Sequence, residues 1–236
     1  KTGRVKDESI TKKLDAVADT QIKKHGTIKI PTAIFIDRSG SMSQAIETGK
    51  HCAAMVSGAT EANLFVLVFD TSVMNIEAED TTMTAWEKAF RPVRSGGQTS
   101  IGCPLQYLLK KRLYVDQIVI ITDGGENAPP FFLSVYQQYC QTMNTTPNVV
   151  IIRVGHRWYS PFAQNLTRSG IETEVYTPDA SDPYALPGLI PLLAKTTKLD
   201  LLMEIMDTPL LKRKAYKDVA PYPVFSNKAT RKIQIP

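Results

Sequence analysis

Apolar and polar positions alternate along the chain in two rhythms. Residues 9 to 24 place Ile10, Leu14, Val17 and Ile22 near helical spacing with Lys12, Lys13, Lys23 and Lys24 elsewhere on the turn, which predicts an amphipathic helix stopped by Gly26. The Ile- and Thr-rich run from 28 to 37 reads as a mostly buried strand. A helix follows over 43 to 62 and a buried strand over 64 to 69, after which Asp70-Thr71 turns the chain back into an antiparallel edge strand at 73 to 78. Short helices fit 84 to 90 and 101 to 111, the second carrying Pro104 in its first turn. Then come a strand at 117 to 123, a helix at 131 to 143, an unbroken apolar strand at 149 to 154 and a short strand at 174 to 177. Helices at 189 to 193 and 199 to 206 follow Pro183 and Pro187, and from 210 onward a basic segment with Pro221 and Pro223 reads as an extended tail.

Strands and helices in this order predict an α/β fold, with a Rossmann-like, mostly parallel central sheet and helices on both faces. The expected organisation is a helical extension over 1–27, the α/β domain over 28–207 and a basic tail over 208–236. In such sheets ligands bind at the carboxyl ends of the strands, where the strand order reverses.

Three predicted strand or loop ends carry oxygen donors. Asp37-Arg38-Ser39-Gly40-Ser41 puts one carboxylate and two hydroxyls at the first strand tip, and Gly40 permits the dihedrals that turn both Ser39 and Ser41 inward. Gly96-Gly97-Gln98-Thr99-Ser100 offers a further hydroxyl, and Asp123 ends the strand from 117 with a second carboxylate. Oxygen donors of this kind suit a hard cation such as Mg2+ or Mn2+. Neutral hydroxyls leave such an ion electrophilic, so it would take a carboxylate from an acidic protein partner or a phosphate from RNA. The same residue types also cap helices and make turns, but three coincident strand ends favour the site. Around it, Glu126 and Asn127 either shape partner choice or form a surface turn, and Arg38 either pairs with an acidic partner or is solvated. His156, with Arg157, Trp158 and Tyr159, either borders the groove or packs as an ordinary loop.

Taken in order, these motifs resemble the metal-ion-dependent adhesion site of von Willebrand factor A domains. The resemblance implies Ser39, Ser41 and Thr99 as direct ligands, with Asp37 and Asp123 bound directly or through water. It prefers Thr99 to Ser100 because Thr99-x-x-Gly102-x-x-Leu105 matches the family's spacing. Over roughly residues 10 to 200, the preceding helix, the Asp-x-Ser-Gly-Ser-Met loop and Gly-Gly-x-Thr followed by Pro104-Leu105 are similar to the carboxy-terminal domain of Ro (TROVE) RNA-binding proteins. That similarity implies a place in a Ro-like ribonucleoprotein. Ro proteins also carry a helical-repeat ring that grips RNA, which here would precede Lys1; the chain opening on Lys and not Met agrees with a piece of a longer protein. Ser-Gly-Ser-Met also recurs in intracellular bacterial A domains working beside AAA+ ATPases, so a protein-only adaptor is the alternative.

Charge sharpens the picture at the ends. Residues 1 to 30 and 196 to 236 each hold eight Lys/Arg against four Asp/Glu, whereas the stretch between holds twelve against fifteen. Basic ends of this kind either contact RNA or make solvated faces. Cys52, Cys103 and Cys140 are odd in number and lack Cys-x-x-Cys spacing, which argues for a reducing, cytoplasmic setting and against zinc or a disulfide framework. No apolar run reaches the ~18–20 residues of a membrane span, so no membrane partner is expected. Neither a Gly-x-Ser-x-Gly elbow nor a phosphate-binding Gly-x-x-x-x-Gly-Lys-[Ser/Thr] loop is present. Metal hydrolases commonly surround their ions with more carboxylates than the two offered here. A binding module, not an enzyme, is the expectation.

Overall fold

The computed structural model describes residues 26–40, 42–154, 161–178, 188–194 and 206–208. The predicted helix at 9 to 24, nearly all of that at 199 to 206 and the tail from 210 lie outside them. The chain divides into two units, 1–195 and 196–236, and within the second only residues 206–208 are described.

The first strand, β1 (Thr32–Asp37), is buried along its whole length because its alternate side chains enter two different cores. Ile34 and Ile36 join one with Val56, Trp86 and Ile190; Ala33 and Phe35 join the other with Leu105, Phe132 and Tyr139. Helices therefore cover both faces of the sheet. On the first face lie α1 (Ser43–Ala59), α2 (Met83–Ala89) and α6 (Leu189–Leu193); on the second, α3 (Gly102–Lys111), α4 (Phe132–Met143) and α5 (Pro161–Arg168). No helix of the described residues is long and apolar enough to cross a membrane.

The other strands are β2 (Leu64–Phe69), β3 (Val73–Ile76), β4 (Gln117–Thr122), β5 (Asn148–Arg153) and β6 (Thr173–Tyr176). They form one sheet in the order β3-β2-β1-β4-β5-β6, with β3 antiparallel on the edge and all other pairings parallel. The chain leaves β1 toward β2 and β3, then crosses to the opposite side of β1 to build β4, β5 and β6. The order thus reverses between β1 and β4, and their carboxyl ends frame the crevice where this architecture binds ligands. Asp37 is the last residue of β1, and Asp123 is the first residue past β4.

Apart from one helix, element type follows the sequence reading over the described residues, with most ends moved by one to three residues. The larger change is at the start of β1: Ile28 makes only an isolated bridge to Thr60, and the strand begins after Pro31, which lacks a ladder donor and whose carbonyl receives the Asp116 and Gln117 N–H groups at 2.9 and 3.2 Å. Helix α5 was not expected. Its eight residues bury only Phe162, Ala163 and Leu166, too short a stripe to stand out, although Pro161 at its first position is a helix-start signal.

Candidate metal centre

Three loops meet at the β1/β4 crevice and are tied together by hydrogen bonds. Between the Asp37 and Gly96 loops, Gly96 N–H donates to the Arg38 carbonyl at 2.7 Å and Gly40 N–H to the Gly97 carbonyl at 3.3 Å. Between the Thr99 and Asp123 loops, Asn127 N–H donates to the Thr99 carbonyl at 3.0 Å while Thr99 N–H donates to Asn127 Oδ1 at 2.8 Å. Between β1 and β4, Thr122 Oγ1 donates to Asp37 Oδ2 at 2.7 Å. Every side of the triangle is closed, by backbone and side-chain hydrogen bonds together.

Asp37, Ser39 and Thr99 are all buried. The Asp37 carboxylate accepts the Ser39 N–H on Oδ1 at 2.8 Å as well as the Thr122 hydroxyl on Oδ2. Burial pushes the Asp37 carboxyl above its ordinary range despite the Ser39 and Thr122 hydrogen bonds that favour its charged form, and the nearby Asp123 charge pushes the same way. Asp123 is turned out of β4 by a loop in which Gly125 N–H donates to Asp123 Oδ1 at 2.9 Å and Gly124 takes a φ of +82°, open to glycine but strained for other residues. A buried carboxylate beside a second one is the environment a cation relieves. Among the described residues no group of three or more His, Cys, Asp or Glu side chains is placed to share an ion. Two carboxylates with hydroxyls therefore form the donor set, and all-oxygen donors fit Mg2+ or Mn2+. Ser41 and His156 lie outside the described residues.

Arg38 and Glu126, read from sequence as ligand-binding candidates, both have intramolecular partners. Arg38 Nη2 lies 2.7 Å from Asp70 Oδ2 and donates to Ser72 Oγ at 3.2 Å. Glu126 Oε1 accepts the Gly102 N–H at 3.1 Å and the Phe132 N–H at 2.8 Å, so one carboxylate oxygen serves the starts of α3 and α4. Burial raises its pKa above the usual carboxylate range against the opposing pull of those N–H groups. Gly102 makes this junction possible, since a Cβ there would stand 2.5 Å from the Pro130 carbonyl oxygen.

Two contributors escaped the sequence reading. Thr122 positions Asp37 and also accepts Gly124 N–H at 3.0 Å, linking one carboxylate to the turn that presents the other. Its signal was a polar residue at the end of an otherwise apolar strand, immediately before Asp123. Asp70 sits beyond β2 as a third strand-end acid; read as a turn residue, it accepts Ser72 N–H and Ser72 Oγ at 2.7 and 2.9 Å.

No family model and no curated protein matches the sequence. Among solved structures, the Ro (RSR) protein of Deinococcus radiodurans is similar with a TM-score of 0.56 and 16% identity, over 79% of this chain and 39% of that one. Proximal thread matrix protein 1 from the mussel byssus gives a TM-score of 0.53 at 15% identity, over 72% of this chain and 48% of its own. A von Willebrand factor type A structure from Catenulispora acidiphila gives 0.49 at 18% identity, over 72% and 42%. The chain spans less than half the length of each of these proteins. Likeness at such identities is one of fold: a mixed α/β arrangement around a mostly parallel six-stranded sheet.

Proposed function

We propose that this von Willebrand factor A-type module binds a partner's carboxylate or phosphate through a divalent cation, Mg2+ or Mn2+. The observation that carries the reading is the Asp37 carboxylate, fully buried at the sheet's reversal point and charge-coupled to Asp123, with the buried Ser39 and Thr99 on loops tied to the same crevice. Asp37, Ser39, Ser41, Thr99 and Asp123 would hold the ion. Bound there, the ion supplies a coordination position for an anionic oxygen. Thr122 fixes the Asp37 carboxylate plane by its hydroxyl, Asn127 fixes Thr99 from both sides of its peptide, and the 124–125 turn fixes Asp123. Binding, not hydrolysis, suits a centre with only two anionic donors, whose other donors are neutral hydroxyls and which leaves a coordination position for a partner's anionic oxygen.

Placement in a Ro-like ribonucleoprotein is supported by the Asp-x-Ser-Gly-Ser-Met and Gly-Gly-x-Thr motifs together with the fold-level likeness to the Deinococcus Ro protein. An RNA partner would make log affinity fall steeply with log salt, whereas a single metal-bridged protein carboxylate would depend chiefly on the metal. The direct test titrates the protein into Mn2+ and follows the free aqueous ion by electron paramagnetic resonance. One equivalent should be taken up by the wild type, and uptake should be lost in Asp37→Ala and in Thr99→Ala. Free Mn2+ persisting beside excess wild-type protein would reject the reading.

A further inference from the structure

Three acids, not two, stand at the carboxyl rim of neighbouring strands. Asp37 pairs with Phe69 across β1 and β2, and Asp70 follows directly. The Asp70 residue is wedged between the loops that carry Ser39 and Thr99: its carbonyl accepts the Ser100 N–H at 2.9 Å, and Gly97 lies so close that a Cβ would stand 3.1 Å from Oδ2. That same Oδ2 is 2.7 Å from Arg38 Nη2, with the Arg38 side chain 20% and the Asp70 side chain 14% exposed, so solvent screens the pair only in part.

Charge counting shows what the pair does. Asp37, Asp70 and Asp123 carry −3 when ionised, and Arg38 takes these four groups to −2, which a divalent ion balances to zero. Without the Arg38 charge the loaded rim would remain at −1, holding the cation more strongly and repelling an incoming anion. We propose that Arg38 masks Asp70, so that a divalent ion among the rim acids stays open to the anionic group of a partner. This makes Arg38 a specificity-determining residue, and the inference rests on the metal-site reading above.

The test uses Mn2+ alone, then acetate as the carboxylate probe, on the full chain. Mn2+ affinity is read by electron paramagnetic resonance; acetate uptake by the Mn2+-saturated protein is read as the fall in water-proton relaxation. Arg38→Met should tighten Mn2+ roughly fivefold, the scale of one unit charge acting on a divalent ion across about 8 Å of aqueous medium, and should weaken acetate uptake roughly twofold, since the monovalent probe feels half that term. Asp70→Asn, which leaves the Arg38 charge uncompensated, should shift both affinities in the opposite directions, and the double variant should return both near wild type. Arg38→Lys should behave as wild type, since it keeps the charge. If Arg38→Met does not fold, Asp70→Asn carries the same test with inverted sign. Normal Mn2+ uptake by the wild type with unaltered affinities in the variants would overturn the masking and leave the metal site standing. No uptake by the wild type would overturn the metal-site reading, and the masking with it.

Discussion

Replacing Glu126 separates its role as a hydrogen-bond acceptor from its role as a charge. Its Oε1 accepts the Gly102 and Phe132 N–H groups, the first donors of two helices that pack against one face of the sheet. A hydrogen bond to a charged acceptor contributes roughly 1.5–3 kcal/mol net. Two such bonds, discounted for water reaching a half-buried position, put the cost of Glu126→Ala at about 3 kcal/mol. For a domain of this size that corresponds to a fall in Tm of roughly 6–12 °C. Glu126→Gln keeps an acceptor oxygen and sheds the charge whose burial raises the carboxyl pKa, so it should cost less than about 1 kcal/mol. The pH dependence follows with a definite sign. A carboxyl that keeps its proton to higher pH when folded than its ordinary 4.5 contributes stability fully present below that value and lost as pH rises through the folded pKa. Wild-type stability measured relative to Glu126→Gln should therefore decline from about pH 4 to pH 7. Urea unfolding followed by circular dichroism at several pH values reads all three quantities. Equal losses in the Gln and Ala variants, or a wild-type advantage that grows with pH, would refute this account of the junction.

Two further outcomes test the supports of the site. Thr122→Val keeps the shape but removes the donor to Asp37 and the acceptor for Gly124; losses of about 10–100-fold in metal affinity are typical for such supporting groups, and a Mn2+ titration showing unchanged affinity would contradict the role. Gly102→Ala should cost more than Gly49→Ala in urea unfolding. At Gly102 the added methyl meets backbone of Pro130 and Phe131 at 2.5 and 2.7 Å, whereas at Gly49 its nearest neighbours are atoms of the Ile36 side chain, from 2.7 Å, which can repack for about 1–3 kcal/mol.

Periodicity carried most of the fold because buried strands and amphipathic helices write their burial directly into residue type. The all-apolar interiors of β1 and β4 announced a sheet covered on both faces. Helix α5 escaped because eight residues give too few turns for a stripe to emerge. Within the site, Asp37, Ser39, Thr99 and Asp123 were legible as donors standing at strand and loop ends. What surrounds them was not, since the Thr122–Asp37 and Arg38–Asp70 contacts join residues 85 and 32 positions apart in sequence or fall between side chains that look like ordinary turn and surface residues. Glu126 is the clearest instance. An acid just past Asp123 reads as a ligand-facing group, and only the convergence of α3 and α4 turns it into a shared cap.

The central claim is that the three tied loops hold a divalent cation, and thermal unfolding with Mg2+ or Mn2+ against chelator tests it most directly. Metal at ~100 times its dissociation constant should stabilise the native state by about 2.7 kcal/mol, raising Tm by roughly 5–11 °C for a chain of this size. That rise should vanish in Asp37→Ala. A wild type indifferent to metal, or an Asp37→Ala variant that responds as the wild type does, would contradict the account.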